Sequence, residues 1–306
     1  GQTKTETGGV ASTSLTQTVL TSAGVNGNRW GVKGSEDLGG GLKANFDFQQ
    51  GFSIDSGAAG SATASAFSRQ SWVGLSGGFG ALRFGRTTTP YDDVNGAADA
   101  VFDSALSGVA AVFKSTGYTA RPNNAIYYQA PTVAGFSGAL EYALGEDKTA
   151  ALSASSTTSM NLTYATGPVA VQFAYQVEDT NVASAADKKF TRLGGSYNFG
   201  VATLKANYGK AANMGNVDGA DATEYQIGVD YPVSSVLTLS ANYAHSKDNT
   251  TATAYEQKRD GYGLGAAYTL SPRTYIYGGY RTDKETVVGA ADMKNSVVAV
   301  GINHKF

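Results

Sequence analysis

Residues 295–306 read NSVVAVGINHKF, and this stretch decides the fold. Every second residue is apolar or aromatic almost to the end: Val298, Val300, Ile302, then His304 and the terminal Phe306. The residues between them, Val297, Ala299, Gly301, Asn303 and Lys305, turn progressively polar. A period of two puts one greasy face and one wetter face on an extended strand. Chain ends of globular domains usually fray because nothing ties them down. A strand that runs to the last residue needs a partner strand, and Phe306 needs an apolar or interfacial medium.

The same alternation recurs back to residue 28. In NRWGVKG, Trp30 and Val32 oppose Arg29 and Lys33; in LKANFDF, Leu42, Ala44, Phe46 and Phe48 oppose Lys43, Asn45 and Asp47. TEYQIGVDY sets Tyr225, Ile227, Val229 and Tyr231 against Glu224, Gln226, Gly228 and Asp230, and LTLSANYAHS and TYIYGGYRT behave alike. Tight turns at 36–41, 76–80, 133–136, 166–168, 198–200 and 270–272 alternate with long polar loops at 55–67, 213–222 and 245–257. About fifteen segments of roughly ten residues, with short turns at one end and long loops at the other, read as an all-β, up-and-down antiparallel barrel crossing a membrane. Lipid leaves no unpaired amide satisfied, so such a sheet closes on itself. A soluble β-sandwich is the alternative, but fifteen strands are too many for one.

Composition agrees. The 306 residues suffice for one large barrel, and charged residues make up 16%, against roughly 25% in soluble chains. Cysteine is absent, which excludes a disulfide scaffold and a Cys-ligated metal. A net charge of −2 carries no basic footprint for nucleic acid. No apolar run approaches the roughly 18 residues of a transmembrane helix, and Gly1 opens directly into a polar segment, read as a mature or further trimmed start. One connection breaks the alternation: from GRTTTPYDD at 85 to TARPNN at 119–124 the pattern lapses, and a loop this long is usually functional. In a barrel it can fold inward and narrow the bore.

NRWGVKGSEDLGGGLKANFDFQQGF, SRQSWVGLSGGFGALRFGR, NNAIYYQAP and the ending VGINHKF together resemble the general diffusion porins of Gram-negative outer membranes, in their arginine-rich, often anion-favouring branch. The resemblance covers essentially the whole chain as a single barrel domain, 1–306. It implies sixteen strands, water-filled pores, a homotrimer set in outer-membrane lipid and lipopolysaccharide, and a third loop, about 87–120, forming an eyelet in the lumen. Residues 1–27 read as the first long loop alone, with weak alternation in SLTQTVL. The family's first strand is therefore expected to be missing from this sequence, in keeping with an odd count of fifteen where bacterial barrels have even numbers.

The family's constriction arginines carry over to Arg29, Arg69 and Arg121. Arg29 points inward by its own alternation, and Lys33 and Arg83 share that parity. Arg69 has the parity of Val73 and Leu75, which calls for a bulge or a reversed facing of its strand. Arg86 opens the long loop. The loop acids Asp92, Asp93, Asp99 and Asp103 are placed to pair with these cations, and such a pairing would serve to hold the loop down. The functional reading is that the cations filter ions, since charged rings in a narrow mouth bias what passes, and one residue can do both. Tyr231, Tyr268 and the YIYGGY tyrosines are expected at the membrane interface.

Other chemistry finds no support. GLSGG at 74–78 matches the G-x-S-x-G pattern, but Ser76 lies near a hairpin turn with no helix following. His245 and His304 are the only histidines, too few for a zinc site, and NVDGAD lacks the spacing of a calcium loop. The expected function is passive diffusion of small hydrophilic solutes and anions, with no cofactor and no covalent step. A substrate-specific channel with a solute site on the inner loop, or a barrel-anchored surface-binding protein, are the alternatives.

Overall fold

The computed structural model describes residues 2–7, 13–22, 24–59, 66–249 and 256–306. Seventeen strands make one sheet: β1 Gln2–Thr7, β2 Thr13–Thr18, β3 Arg29–Gly39, β4 Leu42–Gly51, β5 Gln70–Gly77, β6 Gly80–Arg86, β7 Ala125–Gln129, β8 Phe136–Leu144 and β9 Ser156–Thr166 come first. They are followed by β10 Val169–Asp179, β11 Lys188–Asn198, β12 Thr203–Ala212, β13 Ala222–Pro232, β14 Leu237–Asn249, β15 Glu256–Ser271, β16 Thr274–Val287 and β17 Met293–His304. From β3 to β17 each strand pairs antiparallel with the next in sequence. These are the fifteen segments legible as alternation. The middles of two expected long loops, 60–65 and 250–255, lie outside the described residues.

The amino-terminal segment differs from its reading as loop alone. Its threonine-rich stretches form the short strands β1 and β2, so the sheet has seventeen strands among the described residues rather than sixteen. β1 pairs with Met293–Val298 of β17, and β2 pairs with β1. The physical reason is that the edge of β17 presents a row of unpaired backbone groups, and a β-branched polar segment is a ready partner for it.

Residue distribution is inverted relative to a globular protein. The outward face carries Trp30, Leu140, Leu162, Leu193, Ile227, Leu264, Val300 and Ile302, all well exposed, while Arg192, Gln176, Gln226 and Glu224 are among the most buried side chains. A lipid-facing sheet around a polar interior produces this arrangement. Tyr231, Tyr268 and Tyr280 face outward as expected. Tyr275 and Tyr277 do not: Ile276 and Tyr280 take the outward parity of YIYGGY, and Tyr277 turns inward against Gly24 and Gly301.

The long connection between β6 and β7 lies on the inner face. It contains α1, Pro90–Asn95, capped by Thr89, whose hydroxyl accepts from the Asp92 amide at 3.1 Å, with Pro90 in the first turn. A left-handed turn at 101–103 and α2, Val109–Val112, follow. Both sides of the sheet reach this one segment. Val25, just before β3, bridges Ser104 of the loop, and its carbonyl accepts from Asn303 of β17 at 3.2 Å. The sheet is rolled into a barrel around its own third loop.

Candidate functional site

The loop is held to the wall by inward-facing polar side chains on successive strands. Ser159 accepts from the Tyr91 amide at 3.0 Å, Asn161 donates to Pro90 O at 2.8 Å, and Gln172 donates to Val94 O at 2.9 Å. Further round, Lys205 donates to Asp99 O at 3.0 Å, Ser240 accepts from the Val101 amide at 2.6 Å, Asn242 accepts from Gly108 at 3.1 Å, and Arg281 donates to Ala105 O at 2.8 Å. Each partner belongs to the half of an alternating strand that points away from lipid. The polar half of the sequence pattern is therefore a docking track.

The deepest anchor is Arg192 with Glu224, both fully buried. In register, Arg192 lies opposite Gly209 and Gly209 lies opposite Glu224. The glycine leaves the intervening position empty, and a Cβ there would meet Glu224 Oε1 at 2.6 Å and Ser115 Oγ at 2.7 Å. Glu224 accepts from the Lys114 and Ser115 amides at 2.6 and 3.0 Å and from the Ser115 hydroxyl. Arg192 donates to Asn95 O at 2.9 Å and Ser115 Oγ at 2.6 Å, and its guanidinium faces the Phe113 ring at 5.3 Å. A buried charge is tolerable only when paired and hydrogen-bonded; here the loop supplies most of those bonds, and Arg192 Nε is left without one.

The opposite side of the lumen is cationic. Arg69 stands beside Gly27, and burial, then the guanidiniums of Arg121 and Arg29, push its pKa down to about 10. Like charges lower the cost of losing a proton, so the Arg121 and Arg29 guanidiniums add to the larger effect of burial. Asp92 is the carboxylate that answers them: it lies 3.2 Å from Arg121 and accepts from the Tyr118 hydroxyl at 2.7 Å. Arg86 feels Arg121 and donates to Ser68 O at 2.7 Å and Asn123 Oδ1 at 2.8 Å.

A model of the Gram-negative porin family matches residues 1–286. This chain belongs to the Gram-negative porins. It is 30% identical to an outer membrane porin of Bordetella pertussis over 92% of this chain and 83% of that one. It is 32% identical to outer membrane porin protein 32 of Delftia acidovorans over 85% and 75%. Among solved structures, the anion-selective porin from Comamonas acidovorans aligns over 100% of this chain and 98% of its own, with a TM-score of 0.76 at 26% identity. The protein is thus a passive diffusion channel of the outer membrane, in a family of channels rather than enzymes.

Of the residues singled out in the sequence, Arg69 departs from the facing of its neighbours. Arg69 does not share the parity of Val73 and Leu75, because β5 begins only at Gln70; Arg69 belongs to the incoming loop and bends inward. Arg29 starts β3 on the inner face, and Lys33 follows on that face, in register with Asp47. Arg83 faces inward too, but lies between the Trp72 and Tyr127 rings, at 5.0 and 4.6 Å, apart from the arginine group. Asp93 turns to the wall, accepting from Thr88 and Tyr127 at 2.7 Å each, and burial raises its pKa. Asp103 sits on the left-handed turn with its carboxylate beside Gly96. Arg192, Glu224, Glu178 and Lys205 were not singled out, although their inward parity in alternating strands was a usable signal.

Proposed function

We propose that this porin favours anions, and that Arg29, Arg69 and Arg121 form the cationic side of its constriction, with the loop from about 87 to 120 as the opposing lip. The observation that carries this reading is the grouping of Arg69 beside Gly27, Arg29 on the inner face of β3, and Arg121 paired with Asp92 of the loop at 3.2 Å. Lys33 and Arg83 extend the cationic wall toward the short-turn end, and Arg86 holds the loop base beside it. Small hydrophilic solutes diffuse through water with no covalent step. An anion gains on the order of 1 kcal/mol from each guanidinium at about 4 Å in a water-like medium, and more where the bore is narrow and dry. The name of the anion-selective neighbour supports the same sign. The outward apolar faces suit a homotrimer seam as well as lipid, in keeping with a trimer form among the solved relatives by fold.

The test is the reversal potential of the purified protein in a planar bilayer under a potassium chloride gradient. Chloride preference is expected. Arg29→Ser with Arg121→Ser should lower the chloride-to-potassium ratio about fivefold or more, the factor that corresponds to roughly 1 kcal/mol. Cation preference in the native protein, or no change in the double variant, refutes the arginine constriction while leaving the channel intact.

A further inference from the structure

Arg83 and Glu141 are the two halves of an ion pair that is not made. Both belong to the inner face, and Tyr127 stands between them in register: Arg83 is opposite Tyr127, and Tyr127 is opposite Glu141. Arg83 is fixed by two rings, 5.0 Å from the Trp72 centroid and 4.6 Å from that of Tyr127, and among the described residues no oxygen accepts from its guanidinium. Glu141 is only 3% exposed, and neither carboxylate oxygen has a hydrogen-bond partner among the described residues. The guanidinium acts on that carboxylate through space without touching it. Asp92 and Asp93 of the third loop act on it too, so Arg83 is the one cation among the charges around Glu141.

A buried carboxyl without a donor costs free energy and gains from any donor brought within reach. A guanidinium fork is the donor that suits it best. Across one intervening strand the two backbones are about 10 Å apart, a span that the two side chains cover together. The other neighbours of Glu141 offer no substitute. Ala139 and Ala143 flank it on the inner face of β8, and Ser159, opposite it on β9, is turned to the Tyr91 amide at 3.0 Å.

The Tyr127 ring separates the two groups, and the third loop fixes the ring. The Tyr127 hydroxyl donates to Asp93 Oδ2 at 2.7 Å, with Gln129 Oε1 at 3.0 Å. Asp93 is itself set by the Thr88 hydroxyl at 2.7 Å and by its own amide, which donates to Thr89 O at 3.1 Å. The bond from Tyr127 to Asp93 and an Arg83–Glu141 pair exclude each other, because the ring occupies the space the pair needs. Two exclusive arrangements of this kind make a two-state element.

We infer that Tyr127 is a shutter between Arg83 and Glu141, worked by the base of the third loop. While Asp93 holds the Tyr127 hydroxyl, Arg83 is a free cation of the pore wall stacked on Trp72. When the loop base shifts off the wall, the ring turns aside, Arg83 leaves Trp72 and pairs with Glu141, and the lumen loses a free cation. Tyr127 and Glu141 are thus positioning residues for a lumenal arginine, and the seat of the loop sets the charge of the pore as well as its width. The pairing stands on its own; only its effect on selectivity rests on the anion-favouring reading.

The experiment uses the full chain in detergent and in planar bilayers. The chain has two tryptophans, so Trp30→Phe makes Trp72 the reporter of the stack. In that background Tyr127→Phe, which keeps the ring and frees it from Asp93, should raise the quenching of Trp72 by acrylamide, because a guanidinium leaves its face. The chloride-to-potassium ratio should fall by up to about fivefold, the contribution of one guanidinium about 4 Å from a passing anion in water. Glu141→Gln removes the charged partner. Alone it should leave both readings native, and combined with Tyr127→Phe it should restore both. Native quenching in Tyr127→Phe overturns the inference. So does a double variant as altered as Tyr127→Phe, since the freed ring then acts without Glu141. Where Tyr127→Phe does not fold, Asp93→Asn with and without Glu141→Gln runs the same cycle from the loop. Quenching is independent of ion preference, so a cation-preferring native channel refutes the arginine constriction and leaves the quenching cycle to decide the pairing.

Discussion

Replacing Glu224 by alanine should detach the middle of the third loop without opening the barrel. In the native protein this carboxylate is fully buried, takes two backbone amides and a hydroxyl from Lys114 and Ser115, and faces the equally buried Arg192 across Gly209. The variant leaves those amides without their acceptor and the guanidinium without its anion. Hydrogen bonds to a charged group are worth about 1.5–3 kcal/mol each, and breaking a buried pair by removing one partner costs about 3–5 kcal/mol. Both figures describe loss of one side chain and overlap, so about 3–5 kcal/mol is the local cost. The assay is amide hydrogen exchange resolved to residues 109–120. Protection at Lys114 and Ser115 should fall by roughly two to three and a half powers of ten, while amides of the β14–β15 ladder keep theirs. Glu224→Gln, which keeps an acceptor but not the charge, should fall between. Unchanged exchange at Lys114 and Ser115 would show that the loop is held without this pair. An equal loss in the β14–β15 ladder would show instead that loop and wall open as one unit.

The architecture was legible because one property, period two, sets both the backbone and the medium. Fifteen strands followed from alternation, and the inward facing of Arg29 and Lys33 followed from the outward facing of Trp30 and Val32. Parity fails where a strand stops. Arg69 needs no bulge to face inward, because β5 begins only at Gln70, and nothing in SRQSW marks that start. Tyr275 and Tyr277 were misassigned for another reason: an aromatic suits the interface and the lumen equally, so only the register against β17 decides. β1 and β2 escaped because their alternation is between polar residues, and pairing to the edge of β17 is a tertiary fact. The Arg192–Glu224 anchor spans β11 and β13, and no local pattern says that a glycine on β12 lies between them.

Further perturbations separate the loop's fit from its charge. Gly263→Val places a branched side chain where a Cβ already meets Leu106 O at 2.4 Å and Asn242 Oδ1 at 2.5 Å. It should push residues 106–108 off the wall and reduce single-channel conductance; unaltered conductance would mean the loop has slack there. Asp92→Asn removes the carboxylate 3.2 Å from Arg121 and should raise the chloride-to-potassium ratio a few-fold, about 1 kcal/mol in a water-like medium, as read by reversal potential. Asp99 gives a dependence on pH. Burial, reinforced by the nearby Asp103 carboxylate, pushes its pKa from 3.8 up to about 7, against the hydrogen bond donated by Ser107 at 2.9 Å. Between those values the folded protein holds a proton that the unfolded chain has released. The stabilisation is therefore full below about pH 4 and is lost as the pH rises through about 7. Each pH unit in that window carries about 1.4 kcal/mol, which bounds the effect at about 4 kcal/mol. Asp99→Asn keeps the acceptor oxygen for Ser107 and never ionises. Its melting temperature in detergent should match the native protein at pH 4 and exceed it at pH 8. Parallel melting curves across that range would mean that Asp99 is charged in the folded loop at neutral pH, with Lys205 and Arg192 carrying its countercharge.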